Sequence, residues 1–156
     1  MNFAVIAALV GTVIAVVVPG ISSVLGIKYV GEASAGAMTE DPKNFGRFLV
    51  LLALPGTQGI YGFVIGFLIL QKIGFITGTI PAMSSAEGVA LLLASLPIGI
   101  TGLSAIMQGK VCTAGIGLAA KRPEETGKVM VMAVFVEFYA VLGLLISIFL
   151  LFGVQV

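Results

Sequence analysis

Four long apolar runs alternate with short polar stretches along the chain. They extend roughly from Phe3 to Leu25, from Phe48 to Leu70, from Val89 to Met107 and from Val129 to Phe152. Each is longer than the about 18 residues that a helix needs to cross roughly 30 Å of hydrocarbon. The pattern predicts an all-α membrane protein of four transmembrane helices whose solvent is a lipid bilayer. No Lys or Arg precedes the first run, and its length suits a span better than a secretory signal, so it is read as mature structure.

Composition agrees and removes several chemistries. With 59% apolar residues and 10% charged ones, too little polar surface exists to solvate a globule of this size. There is no His, and the single Cys112 can neither form an intrachain disulfide nor supply a thiolate cluster. Zinc sites and Cys/His nucleophile pairs are thereby excluded. A formal charge of +1 gives no reason to expect a nucleic-acid partner.

The basic residues orient the chain. Lys28, Lys43, Arg47, Lys110, Lys121, Arg122 and Lys128 all fall between the first and second or the third and fourth runs, and Lys72 alone lies on the other side. The positive-inside rule then makes 26–47 and 108–128 cytoplasmic loops and places both termini outside the cell membrane.

The two halves of the sequence repeat. At an offset of 82, Gly20 pairs with Gly102, Ser22 with Ser104 and Lys28 with Lys110; at 81, Pro42 pairs with Pro123, Gly46 with Gly127, Arg47 with Lys128 and Gly62 with Gly143. The chain thus reads as two helical hairpins in tandem, residues 1–78 and 79–156, each entering the membrane in the same direction. Such a parallel repeat differs from the inverted repeats common in secondary transporters.

The differences between the halves are polar and lie at membrane depth. Glu137 stands opposite Gly56, Gln108 opposite Gly26, and Gln58 opposite Tyr139. Glu137 falls eight residues beyond the start of the fourth run, about 12 Å along a helix. A bare carboxylate there costs on the order of 3 kcal/mol or more, and no Lys, Arg or His lies in any run to neutralise it. The compensating charge must come from a bound cation, a proton or another subunit.

Candidate partners cluster in Leu54-Pro55-Gly56-Thr57-Gln58-Gly59-Ile60-Tyr61-Gly62. Thr57 and Gln58 share a helical face with Tyr61 through their spacings of four and three. Pro55 and Gly56 loosen the backbone, which frees carbonyl oxygens near Leu54 to face a ligand. With Gln108, these residues offer one carboxylate, two amide oxygens, a hydroxyl and a backbone carbonyl. Hard cations prefer such a set, and a proton needs fewer oxygens than Na⁺, so the surplus favours Na⁺. Tyr61 is cast as a donor that orients Glu137.

Small residues recur every four positions at Thr101, Ala105, Gly109, Thr113 and Gly117, and at Ala7, Gly11 and Ala15. They permit close helix packing and suit an inner ring of first and third helices, with the second and fourth outside.

With the 54–62 segment, Gln108-Gly109-Lys110 and Glu137-Phe138-Tyr139 in view, nearly the whole chain resembles the duplicated proteolipid, or K subunit, of the rotor ring of V-type and archaeal-type ATPases, especially its Na⁺-transporting bacterial members. The resemblance implies Na⁺ ligation by the Leu54 carbonyl, Thr57, Gln58, Gln108 and Glu137, with Tyr61 bonded to Glu137. It also implies a homo-oligomeric ring, a stator membrane subunit whose arginine meets the unloaded carboxylate, and central-stalk subunits. The chain itself would catalyse no bond chemistry. A proton-translocating ring, a stand-alone small cation or proton transporter and a purely structural tetraspan protein are the competing readings.

Overall fold

A computed structural model of the chain describes residues 2–155. Helix α1 spans Phe3–Met38 and starts where the Asn2 side chain accepts the Val5 N–H at 3.0 Å. A single 3-10 turn, Pro42–Asn44, leads into α2, Phe45–Ala53; a second such turn, Leu54–Gly56, separates α2 from α3, Thr57–Lys72. After the connection through Gly74 and Gly78, both at positive φ, Ser84 and Glu87 form a capping box at the start of α4, Ser85–Thr101. Helix α5, Ser104–Lys121, follows within the same span, and the turn Pro123–Glu125 delivers α6, Thr126–Gly153. All four spans are long and apolar enough to cross a membrane.

Two expectations change. The segments 26–47 and 108–128 are largely helical instead of loops, because α1 runs on to Met38 and α5 to Lys121. Propagating a formed helix adds one hydrogen bond per residue, and the polar residues after Gly26 do nothing to stop it. The 36 residues of α1 are about 54 Å long, well beyond the hydrocarbon thickness. The third span is also not one helix. At Gly102 and Leu103 the backbone tightens to i→i+3 bonds, with the Leu103 N–H donating to Ile100 O and the Ala105 N–H to Gly102 O.

Helix α1 packs along α3 on one side and along α4 and α5 on the other; α6 closes against α4 and α5 and touches α3, which leaves α1 and α6 at opposite corners. The first and third spans run parallel, with Ala4 meeting Gly88, Ile14 meeting Gly99, Pro19 meeting Gly102 and Gly26 meeting Gly109. Residues in contact are therefore near repeat mates at one depth. A methyl on Gly26 would lie 2.5 Å from Ala105 O and 2.8 Å from Pro55 Cβ, so only hydrogen fits there.

The small-residue stripe is packed at Ala7, Gly11, Ala15, Ala105 and Gly109, but Gly117 is exposed with no atom within 4 Å of where a Cβ would sit. A step of four residues drifts by about 40° per step from the 3.6-residue turn, which carries the far end of the stripe off the contact face. Opposite its packed face, α1 turns Phe3, Ile6, Val10, Val13, Val17, Ile21 and Val24 outward.

The core is split in two. One cluster around Ala8, Ile65, Ile69, Leu91 and Ile98 fills the end near the chain termini, and another around Phe48, Leu51, Cys112, Ile116 and Val129 fills the end near the short turns. Polar side chains occupy the layer between them.

Candidate ion site

The break in the second span builds half of the site. Pro55 cannot donate to the helix ladder, and Leu54–Gly56 tighten into a 3-10 turn in which the Thr57 N–H bonds to Leu54 O. The Thr57 hydroxyl also donates toward Leu54 O at 3.0 Å and lies 3.3 Å from Gln58 Oε1. Helix α3 then projects Gln58, fully buried, toward α5 and Tyr61 toward α6.

Helices α5 and α6 supply the rest. Gln58 Nε2 donates to Gln108 Oε1 at 2.7 Å. Gln108 Nε2 in turn donates to Ala133 O at 3.1 Å and to Glu137 Oε2 at 3.2 Å, while the Tyr61 hydroxyl donates to Glu137 Oε1 at 2.6 Å. The six residues singled out from the sequence thus form one continuous run of polar contacts from Leu54 O to the Glu137 carboxylate. Gln58 and Gln108 are completely buried, and Glu137 is 9% exposed.

Among the described residues, no charged partner offsets the acid. The ion pairs there are Lys28 with Glu32 and Lys128 with Glu125, both away from Glu137. Nor do three or more His, Cys, Asp or Glu side chains gather as a metal site among the described residues. One carboxylate held by neutral polar groups, the Tyr61 hydroxyl and the Gln108 amide, balances one positive charge, the charge of a monovalent cation or a proton. Two participants escaped the sequence reading. The Ala133 carbonyl carries no signal in a sequence, and Ser23, whose Oγ accepts the Gly59 N–H at 2.9 Å, looks like any other serine in an apolar helix.

Fold and site together define a helical membrane protein built by duplicating a hairpin, with a single carboxylate sealed at mid-span. The chain belongs to the family of ATP synthase C subunits, whose model matches it twice, over residues 10–69 and 92–150. It is 47% identical over 148 residues to the V-type sodium ATPase subunit K of Enterococcus hirae, an alignment that covers 94% of this chain and 88% of that one. It is 42% identical over 145 residues to the A-type ATP synthase subunit K of Methanocaldococcus jannaschii, over 93% of this chain and 61% of that longer one.

Proposed function

We propose that this chain is one copy of a homo-oligomeric rotor ring that carries Na⁺ across the cell membrane, one ion per copy, on Glu137. The observation that carries the reading is the unbroken run of hydrogen-bonded polar groups from Leu54 O to Glu137, through the Thr57 hydroxyl and the Gln58 and Gln108 amides, in a layer where no basic side chain is found among the described residues. The Leu54 carbonyl, Thr57, Gln58, Gln108 and Glu137 ligate the ion, and Tyr61 holds the carboxylate in place. The names of the Enterococcus hirae and Methanocaldococcus jannaschii relatives, a V-type sodium ATPase subunit and an A-type ATP synthase subunit, support both the ion and the machine.

In this role residues 1–78 and 79–156 each act as one hairpin unit, and the chain is not itself an enzyme. Loading neutralises Glu137, so the occupied site can face lipid at little cost, whereas the empty carboxylate cannot. An arginine of a stator membrane subunit meets the empty carboxylate and forces exchange, and central-stalk subunits couple rotation to ATP. The short turns at Thr39–Asn44 and Arg122–Glu125 face the cytoplasm and both termini face outward, following the Lys and Arg distribution.

Labelling of Glu137 by a carboxyl-reactive carbodiimide, which needs a protonated and accessible acid, tests the proposal. Na⁺ protects Glu137 at fixed pH and ionic strength, K⁺ does not, and Thr57→Val or Gln108→Leu relieves the protection. Labelling that follows pH and ignores Na⁺ would replace this reading with a proton-carrying ring.

A further inference from the structure

We infer that Ser23 is a positioning residue for Na⁺ binding, capping from α1 the first turn of the helix that presents Thr57 and Gln58; the inference rests on the Na⁺ reading above. Helix α3 starts at Thr57 with Gly56 in the capping position and no side-chain cap of its own. The first N–H groups of a helix lack intrahelical partners, and a capping side chain ordinarily accepts the one at the second or third position. Glycine cannot do so. Gly59 occupies that third position, and its N–H donates at 2.9 Å to the hydroxyl of Ser23, 36 residues earlier in the chain.

The bond is placed to matter for the ligands. Ser23 is 5% exposed, so water cannot easily take its place. Gly59 has room for the hydroxyl because it lacks a side chain: a Cβ there would sit 3.2 Å from Ser23 Oγ. One turn further along α1, Gly26 abuts Pro55. The α1 helix therefore grips the broken segment at two points, on either side of Thr57 and Gln58. Tyr61 lies beyond this grip and bonds directly to Glu137, so Ser23 sets the neutral oxygens and not the acid.

A matched contact lies elsewhere in the molecule. Ser147 on α6 accepts the Ile98 N–H at 3.1 Å, likewise between helices and likewise buried. It sits ten residues past Glu137, about 15 Å along the helix. Removing its hydroxyl deletes the same kind of bond without touching the ligands.

The experiment measures the Na⁺ concentration that half-protects Glu137 from carbodiimide in the full-length chain purified as its native oligomer. Ser23→Ala raises that concentration roughly threefold to tenfold, while Ser147→Ala and Ser23→Thr stay within about twofold of the unsubstituted chain. The labelling rate without Na⁺, and its pH profile, do not change in Ser23→Ala. Gly59→Ala crowds the same hydroxyl while favouring the helix, so it weakens Na⁺ protection without weakening the fold, and it serves equally if Ser23→Ala fails to assemble. Na⁺ protection in the unsubstituted chain with no shift in Ser23→Ala, or in Gly59→Ala if only that variant assembles, overturns this inference alone. An equal shift in Ser147→Ala also overturns it. Absence of Na⁺ protection in the unsubstituted chain overturns the Na⁺ reading and this inference with it.

Discussion

The second and fourth spans descend from one pattern and now do opposite things. The second is broken at Leu54–Gly56 and contributes a backbone carbonyl, a hydroxyl and an amide; the fourth is an uninterrupted helix of 28 residues that contributes the acid. Much of the ancestral packing persists. Gly62 lies against Ala15 and Pro19 of α1, and its mate Gly143 lies against Pro97 and Thr101 of α4, which are the mates of Ala15 and Pro19. At the short turns, Arg47 donates to Asn44 Oδ1 at 2.6 Å, and the mates Lys128 and Glu125 form an ion pair at 2.6 Å. Duplication preserved the scaffold and let the polar groups of the candidate site divide between the copies.

One pair of mates differs in surroundings as well as in chemistry. Gln58 is fully buried against α5, part of the first span of the next hairpin, whereas Tyr139 is 67% exposed. Among the described residues, no helix covers Tyr139 as α5 covers Gln58. On the proposed ring, α1 of a second copy covers Tyr139 as α5 covers Gln58.

Substitutions that touch this asymmetry rank from the acid outward. Glu137→Gln removes the one charge that the layer holds among the described residues and is expected to lower Na⁺ binding by about a hundredfold or more and to abolish carbodiimide labelling, read by ²²Na⁺ retention and mass spectrometry. Residual Na⁺ retention at the unsubstituted level would shift the charge balance to another group. Gly26→Ala forces α1 away from Ala105 and Pro55 and is expected to destabilise the oligomer by about 1–3 kcal/mol and to weaken Na⁺ protection. Gly20→Ala, inside α1 with nothing within 4 Å, leaves Na⁺ protection unchanged and does not destabilise the oligomer; thermal melting of the two variants separates contact from mere glycine content. Tyr139→Cys likewise keeps Na⁺ affinity within about twofold. Paired with cysteines scanned across Ile21, Val24 and Lys28, it is expected to cross-link copies upon oxidation, and failure at every position would break the repeat-based account of its exposure.

The spans and the site were legible in the sequence for one reason: hydrocarbon tolerates few polar groups, so each one inside a run stands out. Glu137, Gln58 and Gln108 were conspicuous on that ground alone. The ends of α1 and α5 were not, since a helix that leaves the membrane can continue on polar residues without any apolar signal. The step of four from Thr101 to Gly117 looked like a single packed face, yet Gly117 had already rotated off it. Ser23 was hidden because its role depends on Gly56, a residue with nothing to show, in a different helix.

The parallel seam of α1 against α4 and α5 has a mechanical consequence. Its outward apolar belt runs from Phe3 to Val24, and that of α6 from Val131 to Phe152; each is about 32 Å tall at 1.5 Å per residue. Backbones pressed together at Ala4 with Gly88 and at Gly26 with Gly109 cannot tilt independently. Hydrophobic mismatch with a thinner or thicker membrane is therefore absorbed by stretching or compressing the surrounding lipid, and the buried Gln58, Gln108 and Glu137 keep their spacing in both.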